Sequence, residues 1–90
     1  MLVKCFLTIF IRAEDDAKAL EQKQKTATEV LSKQGHKIEG TKMGKGGRRV
    51  TIYTTIESKG SETAQQAIDR VSQVVSQAIT RKTVGRPLRT

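Results

Sequence analysis

Leu2-Val3-Lys4-Cys5-Phe6-Leu7-Thr8-Ile9-Phe10-Ile11-Arg12 decides the fold of this chain. Its odd positions Val3, Cys5, Leu7, Ile9 and Ile11 are aliphatic or thiol, and its even positions are Lys4, Phe6, Thr8, Phe10 and Arg12. Side chains alternate faces along a strand, so one edge of this segment belongs to a core and the other points away from it. A second segment repeats the division: Val50, Ile52, Thr54 and Ile56 face one way, and Arg49, Thr51, Tyr53, Thr55 and Glu57 the other. All three aromatic residues, Phe6, Phe10 and Tyr53, therefore sit among polar and charged neighbours. Such a sheet has two surfaces to cover, a core and a second face that requires a partner.

Working outward, the first strand ends near Arg12, and Glu14-Asp15-Asp16 places carboxylates at the positive end of a helix dipole. Ala17, Leu20, Ala27, Val30 and Leu31 recur at helical spacing, and Lys33 with Gly35 supplies a stop. His36 to Met43 reads as a weak second strand, Gly44-Lys45-Gly46-Gly47 as a turn, and Arg48 to Ser58 as a strong strand rich in β-branched residues. Ser61 is an N-cap candidate for a helix reaching about Thr80, with Ala64, Ala67, Ile68, Val71, Val74, Val75, Ala78 and Ile79 forming a wide apolar stripe. Residues 81–90 carry few apolar side chains and Pro87, and read as a flexible arm or a short edge strand.

The predicted order is β-α-β-β-α: a two-layer α+β domain over residues 1–80, with a basic tail over 81–90. Both helices lie on one face of a three-stranded sheet, and the right-handed crossover through the first helix gives the first strand a parallel partner. This is close to a ferredoxin-like arrangement with its last strand missing or short.

Ninety residues bury roughly 60–65% of their unfolded surface, enough for one core. Lys and Arg number 17 against 9 Asp and Glu, a formal net charge of +8. The excess is uneven: residues 35–59 hold six basic side chains against two acids and 81–90 hold four against none, whereas 14–34 hold four against five. A concentrated positive charge attracts a polyanion, and also favours solubility. The single cysteine, Cys5, reads as a buried small hydrophobe in a reducing, cytoplasmic setting. The N-terminal run alternates and lacks a small-residue cleavage pattern, which favours a strand over a leader. At ten residues it is also far short of the ~20 that span a bilayer, so no membrane partner is expected.

Catalysis and metal binding find little to work with. Glu14, Asp15, Asp16, Glu21, Glu29, Glu62 and Asp69 fall on helical surfaces, His36 is the only histidine, and one Cys with one His does not make a zinc site. Neither enzyme activity nor a cofactor is expected. Gly40-Thr41-Lys42-Met43-Gly44-Lys45-Gly46-Gly47 departs from a phosphate-loop motif in spacing, in the missing hydroxyl after Lys45, and in leading into a strand. What survives is a glycine-rich tip whose backbone can approach a phosphate, surrounded by Lys42, Lys45, Arg48 and Arg49.

The aromatic face with Lys4, Arg12 and Arg49 around it suits single-stranded nucleic acid, because bases stack on rings and cations neutralise phosphates. It resembles the sheet surface of the RNA-recognition motif in strand order and in Phe6 on the first strand. At the octapeptide Lys45-Gly46-Gly47-Arg48-Arg49-Val50-Thr51-Ile52 the chain has glycine, arginine and isoleucine where that family has aromatics. The competing cover is a second copy, with Phe6, Phe10 and Tyr53 forming a dimer contact rimmed by Lys4 and Arg12. In the tail, Gly85-Arg86-Pro87 resembles the core of an AT-hook, with Val84 where that family usually has arginine.

The expectation is a small cytoplasmic homodimer that binds DNA or RNA without catalysis, through Lys42, Lys45, Arg48, Arg49, Arg81, Lys82, Arg86 and Arg89. The alternatives are an assembly subunit of a larger acidic complex and a regulator binding a small ligand at its dimer interface.

Overall fold

The computed structural model describes residues 1–44 and 49–88. The elements run β1 (Leu2–Phe10), α1 (Ala17–Lys33), β2 (Lys37–Met43), β3 (Arg49–Glu57), α2 (Ala64–Ile79) and β4 (Thr83–Pro87). They form an α+β structure with one four-stranded sheet in the order β2-β3-β1-β4, and every neighbouring pair is antiparallel. Two points correct the sequence reading. The sheet has four strands rather than three, because Thr83–Pro87 pairs with β1 as a short edge strand. The first two strands run parallel but are not neighbours, since β3 lies between them.

The inward-facing half of β1 (Val3, Cys5, Leu7, Ile9) and of β3 (Val50, Ile52, Ile56) packs with Ala27 and Leu31 of α1 and with Ala67, Ile68, Val71, Val75 and Ile79 of α2. Both helices thus lie on one sheet face, as their apolar stripes require. Thr54 is a polar residue in that inner row, and its hydroxyl donates to Lys37 O at 2.6 Å, which settles the buried group. Cys5 is buried, and burial pushes its thiol up to about 11.

Local chemistry sets the boundaries. Asp16 caps α1 by accepting from Ala19 N at 2.8 Å. Gly35 (φ 82°) ends the helix in a Schellman turn, with His36 N donating to Leu31 O and Gly35 N to Ser32 O. The cap of α2 is Thr63 rather than Ser61: Gln66 N donates to its hydroxyl, and Gln66 Oε1 accepts from Thr63 N, a reciprocal pair unavailable to Ser61. α2 closes on Thr80 in the left-handed region (φ 52°), an uncommon conformation for a β-branched residue.

β4 docks closely. A Cβ added at Gly85 would overlap Ile68 Cγ2 and Ser72 Oγ and lie 2.9 Å from Leu7 Cδ2, so only glycine lets this strand sit against α2. Among the described residues no helix is long and apolar enough to cross a membrane.

Candidate nucleic-acid interface

Strand register turns the outward residues into rows across the sheet, because directly paired residues project to the same face. Gly40, Tyr53, Phe6 and Arg86 make one row, and Lys42, Thr51, Thr8 and Val84 the next. Arg49 and Phe10 pair at one end, while Lys37, Thr55 and Lys4 align on the other side of the Phe6 row. Among the described residues no helix packs on this face. Phe6 and Tyr53 are half-buried by their neighbours, whereas Phe10 is 38% exposed and Leu2 and Leu88 are more open still.

The ring centroids of Phe6 and Tyr53 are 6.2 Å apart with planes tilted by 48°. Arg49 holds its guanidinium carbon 5.7 Å from the Phe10 centroid, within cation–π range. Arg86 is paired directly beside Phe6, and together with Gln65 and Pro87 they line a shallow depression of about 560 Å³ at the β4 edge. Among the described residues no carboxylate comes within ion-pair distance of Lys4, Lys42, Arg49, Lys82 or Arg86. Of the acids on this face, Glu39 is engaged by Lys37 at 3.8 Å and by the Thr55 hydroxyl at 3.1 Å.

The expected contact residues divide. Lys42, Arg49 and Arg86 lie on the open face, and Lys82 is exposed at its end, where its carbonyl accepts from Phe10 N. Arg81 points elsewhere: Nε and Nη2 both bind the Asp15 carboxylate, at 3.3 and 2.5 Å, tying the start of β4 to the β1–α1 connection. This pairing holds the Asp15 carboxyl below the usual range. Lys45, Arg48 and Arg89 lie outside the described residues. Gly85-Arg86-Pro87 is a paired strand packed on α2, not the free extended segment that a minor-groove hook requires. Sequence reasoning placed Arg86 in a tail; the short β4 brings it next to Phe6. Gly40 was read only as the start of a glycine-rich segment, and strand pairing places it opposite Tyr53.

Away from this face, Arg70 grips Glu62 through Nε and Nη2 at 2.8 and 3.0 Å. The Arg70 hydrogen bonds, followed by the Lys59 backbone N–H, lower the Glu62 carboxyl to about 2. His36 is half-buried, and its Nε2 has no hydrogen-bond partner among the described residues. Burial and the nearby Arg70 and Lys59 push its pKa down. Among the described residues no three His, Cys, Asp or Glu side chains gather as a metal site would need. Comparison of the chain with protein-family models, curated proteins and solved structures found no match.

Proposed function

We propose that this protein is a non-catalytic nucleic-acid-binding module of the ferredoxin-like class, working in the cytoplasm through the open face of its sheet. The βαββαβ connection and the strand order β2-β3-β1-β4 support that class. The observation that carries the function is that the unpaired cations share sheet rows with the aromatics instead of surrounding them at a distance. Arg86 is in the Phe6 row, Arg49 is against Phe10, and Lys4 and Lys42 lie one row away. Phosphates would meet Lys4, Lys42, Arg49, Lys82 and Arg86, while the rings meet bases.

A second copy of the chain competes for this face, and Leu2 and Leu88 extend the apolar area available to it. Two-fold apposition would gather two sets of Lys4, Lys42, Arg49 and Arg86 into one interface with few acids to match them, and like charges brought together in an interface cost several kcal/mol. A polyanion gains from the same arrangement. The reading therefore departs from the expected sheet-to-sheet dimer.

Salt dependence is the test. Five phosphate contacts to a single strand give a log–log slope of about −3.5, or roughly 130-fold weaker binding between 50 and 200 mM salt. Arg86→Gln and Lys42→Gln should each lower the slope by about 0.7. Failure of labelled single strands and duplexes to bind at ~50 mM salt would remove the proposal.

A further inference from the structure

We infer that Phe6 and Tyr53 form a stacking site for two unpaired bases, with the second base seated over Gly40, so that the ligand of this face is single-stranded nucleic acid. The inference rests on the proposed nucleic-acid function and adds to it the class of strand and the place of its bases.

The ring geometry selects the strand. Bases within one strand of a duplex rise about 3.4 Å apart and cover each other's faces. Phe6 and Tyr53 are 6.2 Å apart and inclined by 48°, on the two central strands of the sheet. No stacked pair of bases can lie on both rings. Two bases splayed apart can, and only unpaired nucleotides present free faces for this.

Gly40 is the second, independent observation. The other glycines of the described residues have structural reasons: Gly35 and Gly60 have positive φ, Gly85 faces Ile68 and Ser72, and a Cβ at Gly44 would lie 3.3 Å from Arg49 Cβ. Gly40 has neither a left-handed backbone nor a neighbour, since a Cβ there would meet nothing within 4 Å. It is the direct strand partner of Tyr53, beside a register irregularity in β2. A glycine inside a strand marks a bulge or a site of close approach; the irregularity between Ile38 and Gly40 is such a bulge, and the open space over Gly40 leaves room for another group as well. Here the space borders the outer flank of Tyr53, on the side away from Phe6.

Charge completes the site. Arg86 borders Phe6 on the β4 side, and Lys42 is one row from Tyr53 on β2, so a strand laid across the sheet meets a cation beyond each ring. Thr8 and Thr51, paired in the adjoining row, offer hydroxyls toward base edges without a code for particular bases. The site is tolerant of sequence, as stacking platforms are.

The chain has one Tyr and no Trp, so intrinsic fluorescence reports on Tyr53 alone. The probes are dT12, rU12 and a 12-base-pair duplex, followed by anisotropy of a labelled strand and by tyrosine emission. Saturating dT12 or rU12 should quench Tyr53, whereas the duplex binds more weakly and leaves the emission unchanged. Phe6→Leu should weaken the single strands by roughly 5- to 150-fold, the loss of one stacked base, with little effect on the duplex. Gly40→Ile fills the vacant flank and should weaken single strands alone, with its melting temperature kept at or above that of the wild type.

Equal affinity for single strands and duplex, with unaltered emission and neutral Phe6→Leu and Gly40→Ile, overturns the stacking site and leaves electrostatic binding intact. A dimer that dT12 does not dissociate and whose Tyr53 stays unquenched overturns it in favour of a second copy. Absence of binding by every probe at ~50 mM salt removes the underlying function as well.

Discussion

Substituting Gly85 tests how the fold places Arg86. The strand β4 is held against α2 because residue 85 has no side chain, and a Cβ would overlap Ile68 Cγ2 and Ser72 Oγ and come within 2.9 Å of Leu7 Cδ2. Leu7 and Ile68 are fully buried, so neither can swing away into solvent. Forcing an extra carbon into such a core costs typically 1–3 kcal/mol. Ser72 donates to Ile68 O at 2.7 Å, and displacing that hydroxyl adds about 1 kcal/mol. Gly85→Ala should therefore destabilise by about 2–4 kcal/mol, a melting temperature roughly 10–25 °C lower for a domain of this size. Urea unfolding followed by far-UV circular dichroism measures it, and Ser72→Ala in the Gly85→Ala background should recover part of the loss because the two sites share the overlap. Gly40→Ala is the control, with free space for its methyl group and an expected gain of about 0.5–1 kcal/mol. A Gly85→Ala variant within about 0.5 kcal/mol of wild type would refute the close docking of β4, and with it the placement of Arg86 beside Phe6.

Other perturbations bear on separate parts of the account. Thr80 ends α2 at φ 52°, and Thr80→Gly should raise stability by about 0.5–1 kcal/mol, since relief of left-handed strain outweighs the added freedom of the unfolded chain; an unchanged or lower melting temperature contradicts this. Glu62 is depressed in the folded state to about 2 from an ordinary 4.5, so its contribution is complete above pH 4.5 and lost as pH falls toward 2. Glu62→Gln should accordingly be less stable than wild type at pH 7, with the gap closing across that window, and a gap independent of pH denies the ion pair with Arg70. Light scattering of the wild type should give the mass of one chain, and Phe10→Glu, which sets a carboxylate beside Arg49, should weaken oligonucleotide binding at constant mass. A dimer split by that substitution would instead assign the open face to a second copy.

The central fold was legible because two strands alternate, Val3 to Ile11 without a break and Val50 to Ile56 with Thr54 as a polar member of its inner row. The inner face of each strand follows from that pattern, whereas their pairing and register come from the tertiary structure. β4 was legible only as one of two alternatives, a flexible arm or a short edge strand, because its inward positions are Thr83, Gly85 and Pro87, none of them a large aliphatic, and its fit depends on absence of bulk at Gly85. The candidate site was half legible. Phe6, Phe10 and Tyr53 could be placed on one face from period 2 alone, but their neighbours on β2 and β4 come from long-range pairing. Arg81 shows the converse. Its proximity in sequence to Lys82 and Arg86 suggested a common role, and only tertiary structure shows its charge matched by Asp15, 66 residues earlier. The cap of α2 went to Thr63 because Gln66 completes a two-way hydrogen-bond pair, a spacing present in the sequence that the choice of Ser61 left out of account.

The most direct measurement is an amide and aromatic NMR titration of the isotope-labelled protein with dT12 at low salt. The largest shifts should fall on Phe6, Tyr53, Gly40, Lys42, Arg49 and Arg86, while the exposed side of α1 stays unchanged. Shifts centred on α1 or α2, or none at all, would contradict the assignment of the open sheet face as the nucleic-acid site.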